Sequence, residues 1–298
     1  MTMIPVNVPK RDQSARMENW SRAFYRFRQS WLSVFGLAIV LLLILLAIFA
    51  PVIIPYPEHV LGTTNTAARF LPPSSAAWFG TNALGQDMFS LVLAGSRVSL
   101  FSGLAVVIIS ILVGSFVGAV AGYFGGWIDE ILMRFTDLLL TIPSLILAMA
   151  VAAALGTGVG NMIIAISITW WPAYARLVRG EVIGKKEEQF ITAARALGAG
   201  WPRILGLHIL PNIMSPIVVK ASLDMGFAIL TVASLGFVGI GVKAPTPEWG
   251  TLLSVARSSM PDYWWTALAP GFAIFLAVLA FNLLGDGLRD VLDPKARR

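Results

Sequence analysis

Four ionisable residues stand inside or at the ends of long apolar runs: Asp137, Lys220, Asp224 and Asp286. A charge in hydrocarbon is costly, so such residues are rare and mark either paired charges or transport paths. Lys220 and Asp224 are four residues apart, which puts them on one face of a helix. Asp224 falls near mid-membrane, about 16 Å into its run at ~1.5 Å per residue. Two readings of this pair stay open: a structural ion pair, or a contribution to a transport path. Asp137 and Asp286 lie near the ends of their runs, where anchoring or capping explains them better. Other chemistries lack their residues. The chain has no cysteine, which excludes disulfides and cysteine-ligated metals. His59 and His208 are far apart, without ligand-like spacing. Gly156-Thr157-Gly158-Val159-Gly160 lacks the lysine of a phosphate loop, so no ATP site is expected on this chain. No Ser/His/Asp set can be assembled, and neither a metal nor an enzymatic role is expected.

The longest polar interruption between the apolar runs is Glu187 to Pro211. Phe190, Ile191, Ala194 and Leu197 fall on one helical face at i, i+1, i+4 and i+7. Gly198 is placed as the helix stop, since glycine takes a left-handed cap conformation without steric cost. Trp201-Pro202 reads as a new start, with Pro202 expected at the first helical position. The result is a helix–turn–helix too polar to enter a bilayer. It is either an ordinary surface loop or a docking element for a soluble partner, with Ala193, Ala194 and Gly198 small enough to let that partner approach.

The elements that position these residues are apolar helices. Hydrophobic residues make up 57% of the chain and charged residues 13%, which is the composition of a multi-span membrane protein rather than a soluble domain. Spans of about 20 residues are expected near 32–55, 98–122, 131–155, 159–178, 213–241 and 265–285, the fifth tilted or with a re-entrant end. The first run is too long for a signal peptide and no small-residue cleavage site follows it, so it reads as an uncleaved span. Gly114, Gly118 and Gly122 form a close-packing stripe on the second span. Seventeen Lys and Arg residues fall on the side of the N-terminus and of residues 187–211, and four on the other. That bias predicts both termini and the 187–211 stretch inside, and it accounts for the net charge of +6 without nucleic-acid binding. Residues 1–30 mix arginines with Trp20, Phe24, Tyr25 and Phe27, which suits a helix at the membrane interface; for residues 1–15 a disordered tail fits equally. Residues 31–97 hold the first span and a long outer loop, 98–290 the five-helix core with its cytoplasmic loop 185–211, and 291–298 a tail. In the outer loop, Met88, Phe89, Val92 and Leu93 form an apolar face, read as a helix resting on the outer membrane surface. The aromatic residues between Gly241 and Trp265 suit the interface.

Separated motifs then bring a family into view. Ala193, Ala194, Gly198, Leu210 and Pro211 match the spacing of the "EAA" loop in permeases of bacterial ABC importers, with Thr192 in place of its Glu and His208 in place of its Ile. Gly80-Thr81, Gly85, Asp87, Gly95, Arg97, Ser99 and Leu100 resemble the signature before the permease core of the dipeptide/oligopeptide/nickel importers, with Asn82, Gln86 and Leu91 departing from its Asp, Arg and Arg. Ala121 to Gly126, Met133-Arg134 with Asp137, Ser234 to Gly241, Pro245 to Gly250 and Phe281 to Pro294 also match, the last close to the "C" permease of that family. The resemblance implies an all-α membrane protein of six transmembrane helices with the type I ABC importer permease fold, in the bacterial inner membrane. It implies a second, homologous permease, two ATPase subunits carrying ATP and magnesium, and a substrate-binding protein outside. It makes Phe190, Thr192, Ala193, Ala194, Leu197, Gly198, Leu210 and Pro211 the ATPase-coupling residues, moving as a lever when the ATPases close. Lys220 and Asp224 remain the pathway candidates. An ion-coupled secondary transporter is the alternative; it would use Asp224 but not the cytoplasmic helix–turn–helix.

Overall fold

The computed structural model describes Tyr25 and residues 27–292. The expected interfacial segment 1–30 and the tail 291–298 fall largely outside these residues. Among the described residues the chain is helical, and the only extended pairing is an isolated antiparallel bridge between Thr81 and Asp87.

Helix α1 spans Trp31–Ile53 and is capped by Ser30, whose side chain accepts from the Ser33 N–H. Helix α2 spans Met88–Phe124, 37 residues long. Helices α3 (Gly126–Thr141) and α4 (Ser144–Leu155) follow, then α5 (Val159–Lys185) and the short α6 (Gln189–Ala196). Helix α7 spans Met214–Val238, α8 Trp249–Ala256 and α9 Trp265–Leu292. Four of these, α1, α2, α7 and α9, are long and apolar enough to cross a membrane.

Three expectations change. The span expected at 131–155 is not straight: α3 and α4 meet at a 92° bend. Pro143 lies at the bend, and it disfavours helical geometry at Ile142, whose backbone is extended. Counted as one broken span, this pair makes a fifth crossing. The run at 159–178 is helical within α5, but Asn161, Trp170, Trp171, Pro172 and Arg176 dilute its apolarity below that of the other spans. Finally, Met88, Val92 and Leu93 do not rest on the membrane as a separate helix. They are buried in the first turns of α2, which continues into the expected second span.

The glycine stripe sets the tightest packing. A Cβ on Gly114 would lie 2.5 Å from the Trp171 carbonyl, one on Gly118 would run into the Ala175 carbonyl, and one on Gly122 would meet Arg179. Only bare backbone lets α2 and α5 approach this closely. Helix α7 packs on α2 and α9, and α9 on α1. One apolar core gathers Val106, Ile166, Ile229, Leu235 and Trp249; a second, toward the 187–211 stretch, gathers Val178, Val182, Ile191, Ile204, Ile209 and Ile213. Large apolar side chains such as Leu42, Leu45, Leu112 and Phe116 remain on the outside, where a bilayer would cover them.

Candidate functional site

Helix α6 is eight residues long, too short to persist alone in water, and its seat is tertiary. Ile191 is 0% exposed and plugs into the core formed by Val178, Val182, Ile204 and Ile209. Trp201 meets Phe124 edge to face at 5.5 Å, and the Arg195 guanidinium lies 5.9 Å from the Tyr123 ring. Lys186 donates to the Gly122 carbonyl at the end of α2, 3.0 Å away, and Lys185 pairs with Glu188 at 2.6 Å. The stretch is thus fastened to the C-terminal ends of α2 and α5 at several points.

The other side of α6 is open. Thr192, Ala193 and Phe190 are exposed, Ala194 is half-buried, and Leu197 is 88% exposed. The single apolar face expected from spacing is therefore split: Ile191 turns inward while Phe190 and Leu197 turn out. Neighbouring residues on a helix point about 100° apart at 3.6 residues per turn, so in a helix this short one of Phe190 and Ile191 seats and the other does not. Leu197 follows the last turn. Gly198 stops the helix as expected, at φ +83. The Gly198 N–H bonds to the Arg195 carbonyl and the Ala199 N–H to the Ala194 carbonyl, which is the paired closure of a Schellman cap. No atom lies within 4 Å of a Cβ built on Gly198.

Beyond it, Trp201 rather than Pro202 takes the first helical position. Ile204–Ile209 then widen into a π-turn, and the Leu210 N–H reaches back to the Leu205 carbonyl. Pro211 has no N–H with which to continue a regular ladder. The turn drives Ile204, Leu205 and Ile209 into the core and leaves Pro211 exposed and Leu210 half-buried.

Lys220 and Asp224 form the expected pair on α7, Nζ to Oδ2 2.9 Å, with side chains 31% and 16% exposed. Lys220 Nζ also lies 5.1 Å from the Tyr174 ring centroid. Asp137 anchors Arg176 at 2.7 Å, and Asp129 holds Arg179 through both carboxylate oxygens. Among the described residues no group of three or more His, Asp or Glu side chains could hold a metal ion.

One constellation escaped the sequence reading. Glu248, fully buried, accepts from Ser99 Oγ at 3.1 Å, from the Gly250 N–H at 2.8 Å and from the Thr251 N–H at 2.9 Å. Trp249 is 1% exposed, so it is not an interfacial aromatic; its indole donates to the Val92 carbonyl at 2.9 Å. The Pro245 to Gly250 segment thereby ties α8 to the N-terminal part of α2. Beside it, Asp87 caps α2 through Ser90, and Asn82 donates to Gln86 at 2.9 Å where the family signature carries charged residues. The cue available in the sequence was an acidic residue just before an apolar octet, as at any helix N-terminus.

Comparison with known proteins agrees with this architecture. The family described as "Binding-protein-dependent transport system inner membrane component" matches residues 110–298, and that of the "N-terminal TM domain of oligopeptide transport permease C" matches residues 18–73. The chain is 44% identical over 297 residues to a dipeptide transport system permease protein of Alkalihalophilus pseudofirmus, covering 100% of this chain and 97% of that one. It is 43% identical over 286 residues to a probable D,D-dipeptide transport system permease protein of Escherichia coli K12 (96% and 95% covered). It is 44% identical over 287 residues to a glutathione transport system permease protein of Pectobacterium atrosepticum (96% and 94% covered). With a match over most of its length and relatives aligned from end to end, this chain belongs to the family of binding-protein-dependent transport system inner membrane components.

Proposed function

We propose that this chain forms half of the translocation pathway of an ATP-driven importer of peptides or related small solutes, and that residues 187–211 couple it to a separate ATPase. The observation that carries the coupling is the two-sidedness of α6. Ile191 fixes it to the ends of α2 and α5, while Phe190, Thr192, Ala193 and Leu197 stay uncovered. Such an element transmits a push from a soluble partner to the spans as a rigid body. Thr192 in place of the family's Glu removes one charged contact from the interface; the small Ala193 and Ala194 still let a partner come close. The substrate class follows the relatives, which are named for dipeptides, D,D-dipeptides and glutathione.

In this reading the chain crosses the inner membrane six times, with α3–α4 as one broken span and α5 as another, and both termini lie in the cytoplasm. A second permease, two ATPases binding ATP and magnesium, and an external binding protein complete the importer; this chain itself is non-catalytic. Lys220 and Asp224 belong to the path. The family match lends ion-coupled secondary transport no support. Uptake of labelled dialanine by the assembled importer in proteoliposomes tests the reading. We expect uptake to require internal ATP and to survive a protonophore. Uptake that proceeds without ATP and collapses with the protonophore would overturn it.

A further inference from the structure

Helix α7 has two unlike sides. Val218, Ala221 and Met225 line a cleft of about 1180 Å³ shared with α1 and α2, whose other walls include Leu104, Val107 and Phe281. That cleft is mainly apolar, with Arg97 and Ser222 as its charged and polar members, and most of its wall suits hydrocarbon. Lys220, Asp224, Phe227, Thr231 and Ser234 follow one another at four-, three-, four- and three-residue steps on the opposite side. This side is not packed into the core: Phe227 is exposed, and the other four are partly open. It runs about 21 Å along the helix at ~1.5 Å per residue, most of a bilayer's thickness.

Polar residues on an unpacked membrane face are misplaced against lipid, and ionisable ones the more so. Thr231 and Ser234 donate to their own helix, to the Phe227 and Leu230 carbonyls, and keep their lone pairs free. The ion pair is incompletely satisfied. An ammonium has three donors and a carboxylate about four acceptor sites, yet within the described residues Lys220 hydrogen-bonds only to Asp224, and Asp224 adds to this only the looser approach of the Tyr174 hydroxyl. The hydroxyl of Tyr174, itself buried, is directed at Asp224 without reaching full hydrogen-bond geometry, and it meets no other partner among the described residues. A donor-rich cation, an acceptor-rich anion and a loosely held hydroxyl thus stand together at membrane depth beside an open face.

We propose that this face of α7 is a wall of the water-filled path, and that Lys220, Asp224 and Tyr174 form a station exchanging their mutual contacts for the carboxylate and ammonium of a zwitterionic solute. The inference rests on the reading that this chain lines an import path, and it adds which face does so and by what chemistry. The mainly apolar cleft has Arg97 but no acidic side chain in its wall, so it offers a zwitterion no such two-sided exchange.

The chain has no cysteine, so single cysteines report their surroundings without background. Phe227→Cys and Thr231→Cys leave the ion pair intact; Leu112→Cys and Phe116→Cys, on an exposed apolar stripe of α2, serve as lipid-facing controls. A thiol in hydrocarbon stays protonated and unreactive. In the assembled importer in inverted vesicles, a permanently charged methanethiosulfonate is expected to modify positions 227 and 231 but not 112 and 116. ATP with vanadate, and separately dialanine, should alter the rate at 227 and 231. In a second arm, the exchange Lys220→Asp with Asp224→Lys should restore normal chain levels, as a re-formed pair, yet lose dialanine uptake. Unreactive cysteines at both positions, whether sealed by lipid or by another subunit, would overturn the proposal. So would wild-type uptake by the exchanged pair, which would make it structural. Reactive cysteines together with ATP-independent uptake would uphold the water-filled face and strike down the importer reading instead.

Discussion

The two ends of this molecule are closed by opposite means. At one end a buried carboxylate gathers its donors: Glu248 takes the Gly250 and Thr251 N–H groups and the Ser99 and Thr251 hydroxyls, while Trp249 fills the space between α2 and α8. Its acceptor sites, about four, are then filled. At the other end the 187–211 stretch is held by aliphatic plugs, Ile191, Ile204 and Ile209, and by two aromatic contacts, and its far side is bare. A polar knot has one geometry, because each missing bond leaves a buried group unpaired. An apolar seat fixes position and leaves the opposite face free for another protein. The difference is between a segment locked by its own hydrogen bonds and a segment seated on one face with the other left for a partner.

The largest effect is expected at the knot. Glu248→Ala removes the α8 cap and strands its four donors, of which those of Ser99 and Gly250 are buried; a buried donor left unpaired costs about 1–3 kcal/mol. We expect the chain to fail in folding, seen as loss of membrane-inserted protein and a lowered melting temperature in detergent. A variant of unchanged stability would show that the Glu248 knot is not a saturated polar lock.

A smaller, local effect is expected at the seat. Ile191→Ala opens a cavity under α6, a change that costs about 2–5 kcal/mol in a well-packed core. The spans do not depend on this helix, so the loss should appear as local unseating. In inverted vesicles, trypsin should cleave after Arg195 faster than in wild type while the rest of the chain stays protected. Equal cleavage rates would mean that the aromatic contacts of Trp201 and Arg195 hold α6 without its plug.

The contrast also explains what the sequence made legible. Apolar runs, the Gly114–Gly118–Gly122 stripe, the stop at Gly198 and the Lys220–Asp224 pair are local patterns, set by spacing along one helix. The bend at Ile142 was hidden because an apolar count carries no direction, and Pro143 inside a span is compatible with a straight helix, as Pro172 is in α5. Trp249 was misread because an aromatic residue in an outer loop commonly sits at the interface; its hydrogen-bond partner, Val92, is 157 residues away. The split of Phe190 from Ile191 depends on which of two adjacent apolar residues finds a cavity, and that cavity is made by α5 and the π-turn rather than by α6.

The smallest effect on the chain itself tests the central claim most directly. Leu197 is 88% exposed, and a substitution at such a site usually changes stability by no more than about 0.5 kcal/mol. Leu197→Arg should therefore leave expression, insertion and melting unchanged. If α6 seats in a groove on an ATPase, the added charge would be buried there without a counter-charge, at a cost that breaks the interface. Co-purification of the ATPase subunits with the Leu197→Arg chain is the measurement. The account predicts that they are lost, or that they hydrolyse ATP without import; ATPases retained at wild-type stoichiometry together with wild-type uptake would contradict it and reduce the 187–211 stretch to a surface loop.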